Sequence, residues 1–494
     1  MMHARDENGW DKNGWLRDDW LRDDWLELLR EARTQLEAGF ADLPEFAPYD
    51  GPSGAAMAAV LGQVGRRMQD NYPYFHPLYA GQMLKPPHPV AQAAYALAMS
   101  LNPNNHARDG GRASSEMEME AVAEIAAMLG WRQGDGSGFL GHLTSGGTFA
   151  NLEALWVAGQ CMPGRRVVAS EQAHYTHRRI TGVLQIPFGS VRSDARGRMD
   201  LESLEDALRQ GDVGTVVATL GTTALGAVDP LPEILALRQR YGFRLHIDAA
   251  YGGYFRLIQP ELGADAAAAF AAMPEADSIV IDPHKHGLQP YGCGCVLFRN
   301  PEVGRFYRHD SPYTYFTSSA LHLGEISLEC SRAGPSAVAL WATQRLLPLV
   351  PLGEPGDDFA RGLAQGRRAA LALDGLLRQD PRFEAFPDGP ELDIVVWRAE
   401  GPAGAAQAVF DRAAAENLHL ALVQLPERYF ARDAGLKTGL ETGRDELGKD
   451  RATDGGADSL TSCLRSVLMK PEHADWLPEI WQRLDRAASI GTTR

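Results

Sequence analysis

The chain has 494 residues, 45% of them hydrophobic and 23% charged, with a formal net charge of -16. At roughly 100–200 residues per domain that is two to four domains and ample material for a large core. So acidic a balance argues against nucleic acid as a partner, since phosphate backbones are drawn to clusters of Lys and Arg, and no run of about 18 apolar residues offers a membrane span.

The first residues, MMHARDENGW, carry acidic groups and no apolar stretch, so we expect no secretory signal and a cytoplasmic protein. The five cysteines, Cys161, Cys293, Cys295, Cys330 and Cys463, have neither zinc-site spacing nor a disulfide pattern, and we expect reduced thiols and no metal. A tandem duplication, WLRDDWLRDDWLELL, repeats Trp15, Trp20 and Trp25 every five residues. That period matches neither helix nor strand, so the duplication has no architectural meaning. The stretch from Trp20 to Phe40 reads as a helix with Leu26, Leu29 and Leu36 on one stripe, suited to packing on another subunit. The Pro- and Gly-rich region that follows holds an ordered loop, HPLYAGQMLKPPHP, and a helix near 89–101. Residues 115–130, SEMEMEAVAEIAAMLG, predict an amphipathic helix that stops at Gly130.

From about residue 140 short apolar runs (RVVAS, TVVATL, RLHID, SIVID, GCGCVLF) alternate with helical stretches. This pattern predicts an α/β fold in which a parallel sheet is covered by helices on both faces. After about 355 the order becomes helix, strand (ELDIVVWR), helix (AAQAVFDRAAAEN) and strand (LHLALVQL), followed by a strand in CLRSVLM and a closing helix. We therefore expect an N-terminal helical and loop segment over 1–112, a large domain over 113–350 and a small α+β domain over 351–494. The polar, Gly-rich stretch 432–459 reads as a flexible insertion.

Five stretches carry candidate chemistry. In DPHKHG, Lys285 sits just past an apolar strand, where ligands of open α/β sheets bind. Alone it would read as a solvated surface lysine; desolvation and neighbouring positive charge would instead make it a nucleophilic amine. In HIDAAYGGYF, Asp248 ends another apolar run, where a buried carboxylate demands a positive partner such as a protonated pyridine nitrogen. In GHLTSGGTFANLEAL, Gly146 and Gly147 let backbone approach a ligand and Thr148 opens a helix, an arrangement suited to a phosphate. In EQAHYTHRR, His174 follows a strand and can stack on a flat ring. In ATLGTTALGAVDPL, Thr222 and Thr223 either bond a ligand or shape the turn.

This ordered set, TSGGTFANLEAL, EQAHYTHRRI, TLGTTALGAVDPL, HIDAAYGGYF and DPHKHG, resembles the group II pyridoxal 5′-phosphate (PLP)-dependent amino-acid decarboxylases from about residue 70 to the C-terminus. The resemblance implies PLP fold type I: a large, mostly parallel seven-stranded domain with a small C-terminal domain, in a homodimer whose active site lies at the interface. It implies that Lys285 carries PLP as a Schiff base, that Asp248 pairs with the ring nitrogen, and that His174 and Ala250 lie on opposite ring faces. Gly146, Gly147, Thr148 and His284 would surround the phosphate, with Thr222 near the cofactor. Tyr79, Gln82 and Arg465 become candidate substrate residues, and Ser331, Arg332 and Ala333 would reach the phosphate from the partner subunit.

The implied reaction is decarboxylation of an L-amino acid to its amine. One departure stands out: SSALHLGEISLE lacks the loop tyrosine that relatives use to return a proton, leaving His322, Tyr313 and Tyr315 as substitutes. That departure gives weight to two other PLP reactions on the same scaffold, aldehyde-forming oxidative decarboxylation and retro-aldol cleavage. A non-catalytic PLP-binding protein is the remaining alternative, opposed by the complete Lys, Asp and His set.

Overall fold

The computed structural model describes residues 23–47, 51–132, 138–308, 323–430 and 459–489. The N-terminal segment contributes α1 (Asp23–Ala38), α2 (Gly54–Met68) and α3 (Pro89–Met99). Ser53 caps α2 by accepting the Ala56 N–H, and α3 opens on Pro89, whose missing N–H costs nothing in a first turn. The loop between α2 and α3 is tied down by backbone pairing: the His419 N–H donates to Leu78 O, and the Ala80 N–H to His419 O. Trp15, Trp20 and the predicted insertion up to residue 458 lie outside the described residues.

The central layer is a seven-stranded sheet of β1 (Leu140–Thr144), β2 (Arg166–Ser170), β3 (Phe188–Val191), β4 (Val213–Thr219), β5 (Arg244–Asp248), β6 (Ser278–Ile281) and β7 (Gly294–Phe298). Its spatial order is β1-β7-β6-β5-β4-β2-β3. The run from β3 to β6 is parallel, and β7 is antiparallel to both neighbours. All seven residues of β4 are buried, as an apolar strand covered on both faces should be. The covering helices are α4 (Arg112–Met128), α5 (Gly147–Cys161), α6 (Thr176–Leu184), α7 (Leu201–Arg209), α8 (Leu231–Tyr241), α9 (Ala264–Ala272), α10 (Gly334–Leu346) and α11 (Asp358–Gln379). This is the mostly parallel sheet of fold type I that the sequence implied. The short outer strands β1 and β3 were not read from the sequence, because neither has a β-branched apolar run.

A second, antiparallel sheet holds β8 (Phe383–Ala385), β9 (Ile394–Ala399), β10 (Ala421–Pro426) and β11 (Leu460–Val467) in the order β10-β11-β9-β8. It packs with α11, α12 (Ala405–Ala415) and α13 (His473–Ser489) around Leu373, Trp397, Leu464 and Leu484. Each such fully buried side chain contributes about 1.5–3 kcal/mol. No helix among the described residues is long and apolar enough to cross a membrane.

Candidate active site

Parallel strands present their C-terminal ends on one side of the sheet, and the charged residues after those ends meet there. A cavity of about 340 Å³ is lined by Thr219 at the end of β4, Asp248 and Ala250 at and beyond β5, Asp282, His284 and Lys285 beyond β6, and His174 and Thr176 beyond β2. Residues 145–149 and Asn151, from the turn after β1 and the start of α5, close another side. Lys285 and Asp248 therefore share a cavity, and its size lies within the roughly 300–1,000 Å³ usual for small-molecule sites.

Asp248 is only 5% exposed. Burial alone would raise its pKa, but His177, Lys285 and the Ala250 N–H outweigh it and hold the carboxyl well below the usual carboxylate range. His177 Nε2 donates to Oδ2 at 2.8 Å, Asn151 Nδ2 approaches the same oxygen at 3.4 Å, and the Ala250 N–H donates to Oδ1 at 3.1 Å. The result is a fixed negative charge at the cavity wall, able to hold a proton on a ring nitrogen opposite it.

Lys285 Nζ lies 3.2 Å from Asp282 Oδ2, and its side chain is 23% exposed. The neighbouring positive charge expected from the sequence is not supplied by the adjacent histidines, because burial pushes the pKa of both His284 and His286 down. A carboxylate fixes the amine instead. Burial likewise lowers the pKa of His174, which presents a neutral, flat ring to the cavity. Its Nδ1 accepts the Thr176 N–H at 3.3 Å, which fixes the ring orientation.

The phosphate cradle expected from SGGT has a structural counterpart in the first turn of α5, which has no side-chain cap, so its leading N–H groups are left for a ligand. Gly146 adopts φ 144°, and a Cβ on Gly147 would stand 2.6 Å from an Asp282 oxygen, so both positions need glycine. The Ser145 N–H already donates to Glu329 Oε2. An uncapped helix start, an ionised carboxylate, an amine and a flat imidazole around one cavity fit PLP.

Three expectations need correction. Thr222 is buried and its hydroxyl accepts the Ala227 N–H, so it shapes the turn; Thr223 lines the cavity. Arg332 points into its own chain, where it pairs with buried Glu118 and donates to Leu143 O, because no other cation faces that carboxylate among the described residues. Tyr79 does not line the cavity but lies among Tyr72, Tyr74 and His419. Gln82 and Arg465 meet each other at 3.0 Å, and Arg465 also donates to Thr223 O, which places them behind the cavity wall. His322, Tyr313 and Tyr315 lie outside the described residues.

Sequence reading missed Asp282, Asn151 and His177. Asp282 was legible in principle as the acid three residues before Lys285; the other two depend on how α5 and α6 turn.

Comparison with known proteins agrees with this chemistry. Residues 72–400 match a family model described as the pyridoxal-dependent decarboxylase conserved domain. An L-tyrosine decarboxylase of Enterococcus faecium is 28% identical over 444 residues, covering 69% of this chain and 72% of the relative. A probable L-aspartate decarboxylase of Halobacterium salinarum is 32% identical over 323 residues, covering 65% of this chain and 85% of the relative. The solved structure of mouse CSAD superposes with a TM-score of 0.71 at 21% identity, covering 93% of this chain and 91% of that one.

Proposed function

The chain belongs to the pyridoxal-dependent decarboxylase family, and from that premise we propose that it releases the α-carboxylate of an L-amino acid as CO2, with Lys285 as the residue that carries PLP. One juxtaposition carries this reading: Lys285 and Asp248, from the ends of neighbouring strands, line a single cavity beside the uncapped start of α5.

The bound cofactor supplies an electron sink for a bond breaking at the substrate α-carbon. Lys285 provides the amine for its aldehyde carbon, and Asp282 fixes where that amine sits. Asp248 would present negative charge to the ring nitrogen, and His174 and Ala250, which line the same cavity, would hold the ring between them. Gly146, Gly147, Thr148 and His284 take the phosphate end. Arg465 donates to Gln82 Oε1 and to Thr223 O, and so braces Thr223 in the cavity wall from behind. What the protein contributes is orientation: the residues around the cavity would fix which bond of the amino acid is set to break.

The test is a panel of L-amino acids, led by tyrosine, aspartate and glutamate, assayed in parallel for CO2, amine and aldehyde. Equal amounts of CO2 and amine from one substrate support the proposal. Aldehyde in place of amine, or cleavage without CO2, overturns it.

The active unit in this reading is a homodimer. None of the residues of α2 is buried, and Met57, Val60, Leu61, Val64 and Met68 are exposed on it. An apolar surface of this kind suits a self-complementary contact with a second copy. Light scattering should return twice the chain mass; a monomer carrying full activity would contradict the dimer.

A further inference from the structure

We infer that His177 is a positioning residue of this site, donating from Nε2 to Asp248 and, through that carboxylate, setting how firmly the cofactor ring nitrogen is held. The inference rests on the reading of Asp248 given above.

His177 lies in the first turn of α6, three residues after His174, and is 1% exposed. Because an ionised carboxylate only accepts, the 2.8 Å contact between Nε2 and Asp248 Oδ2 puts the proton on Nε2. His177 Nδ1 is buried with no hydrogen-bond partner among the described residues, so nothing there competes for that proton. Next to His177, α6 buries Ile180 and Thr181, and an aliphatic side chain at 177 would fill the space without leaving a polar nitrogen unpartnered. The position therefore carries a cost that packing does not explain and the bond to Asp248 does.

Without His177, Oδ2 would keep only the long contact from Asn151. The Asn151 amide is itself oriented, its Oδ1 meeting His246 Nε2 at 2.8 Å and its Nδ2 donating to Gly147 O at 2.9 Å, so it cannot swing over to replace the imidazole without breaking both. Asp248 is thus gripped by α6 through His177, by α5 through Asn151 and by its own turn through Ala250.

The experiment combines single and double variants of the full chain, read by PLP titration of the apoprotein and by kinetics at saturating cofactor. His177→Leu should weaken PLP binding about 10-fold and lower kcat about 10- to 100-fold, as loss of a partner behind a directly acting group does, with KM for the amino acid nearly unchanged. His177→Gln, which keeps an N–H donor, should recover most of both. The double variant with Asp248→Asn should be no worse than Asp248→Asn alone, because His177 acts through that carboxylate. A folded His177→Leu protein with parental PLP affinity and kcat overturns the inference, as does a double variant whose losses simply add.

Should His177→Leu fail to fold, nitrogen-15 histidine spectra of the parent decide, with the signal assigned by His177→Gln. A protonated Nε2 whose shift moves on PLP loading supports the inference, and one identical with and without PLP overturns it. Asp248→Asn with full affinity and turnover removes the Asp248 reading itself; a crippled Asp248→Asn beside an unaffected His177→Leu removes only the role of His177.

Discussion

Two buried aspartates flank Thr219, and they behave in opposite ways. Asp248 pairs in register with Thr219 across β4 and β5. Asp229, on the other side, accepts the Thr219 and Met199 N–H groups at 2.7 Å each. Both accept backbone N–H groups, and both are nearly sealed from water. Yet burial pushes Asp229 up to about 7, against the opposing pull of its backbone donors, while Asp248 stays ionised. The difference is the company: Asp248 has an imidazole at 2.8 Å and a lysine across a cavity, whereas Asp229 has backbone dipoles opposed by the negative charges of Asp194 and Glu391. Burial of a carboxylate is therefore not what marks a working group; a shared cavity and a cationic partner are.

The largest test of that distinction is Lys285→Ala. Removing the amine should abolish turnover, and borohydride should no longer fix PLP to the peptide containing residue 285, as read by mass spectrometry. Turnover surviving in this variant would leave the cavity with no special standing. Next in size is the matched pair Asp248→Asn and Asp229→Asn. The first should lower kcat by about 100-fold or more even at saturating PLP, a larger loss than its weakened cofactor binding, because a preorganised charge facing the reacting system is lost. The second should leave kcat within about threefold, since Asp229 holds only backbone N–H groups and reaches the cavity solely through the Thr219 main chain. Similar kinetic losses in both would erase the contrast.

Much of this was legible in the sequence, and the reason is local. Lys285 and Asp248 stand directly after apolar runs, and a charge at the end of a buried strand has few places to go but the mouth of the sheet. The alternation of strand and helix likewise follows from periodicity alone. What escaped reading depends on steps smaller than a motif. Whether Thr222 or Thr223 faces the cavity is decided by a single residue of turn geometry. His177 gains its meaning only when α6 carries it against a strand 71 positions further along the chain. Arg332 reads as a residue reaching a partner subunit's phosphate until Glu118, 214 residues earlier, is folded against it. β1 and β3 gave no signal because short outer strands need no continuous apolar run.

The smallest effect is one of stability, and it follows from the same contrast. In the unfolded chain Asp229 has an ordinary carboxylate pKa; in the folded chain burial raises it to about 7. A carboxyl that binds its proton more tightly when folded stabilises the protein at low pH and loses that contribution as pH rises through about 7. Other buried groups titrate nearby: burial pushes Asp393 up to about 6 and Lys470 down to about 7, and the lysine acts in the opposite sense. The raw pH profile of melting therefore mixes their contributions, and the difference between the parent and Asp229→Asn is the quantity to read. Asn cannot ionise, but its amide NH2 would face one of the two N–H donors, so the variant should melt below the parent at pH 5, where the parental carboxyl is protonated. Above pH 7 the parent alone bears a buried charge, and the gap between the two melting curves should narrow by roughly 1–3 °C, since about 1 kcal/mol moves the melting point of a chain this long by only about 1 °C. A gap that is constant from pH 5 to 8 would mean that Asp229 stays ionised throughout, and that its two N–H donors suffice to do for a buried carboxylate what His177 and Lys285 do for Asp248.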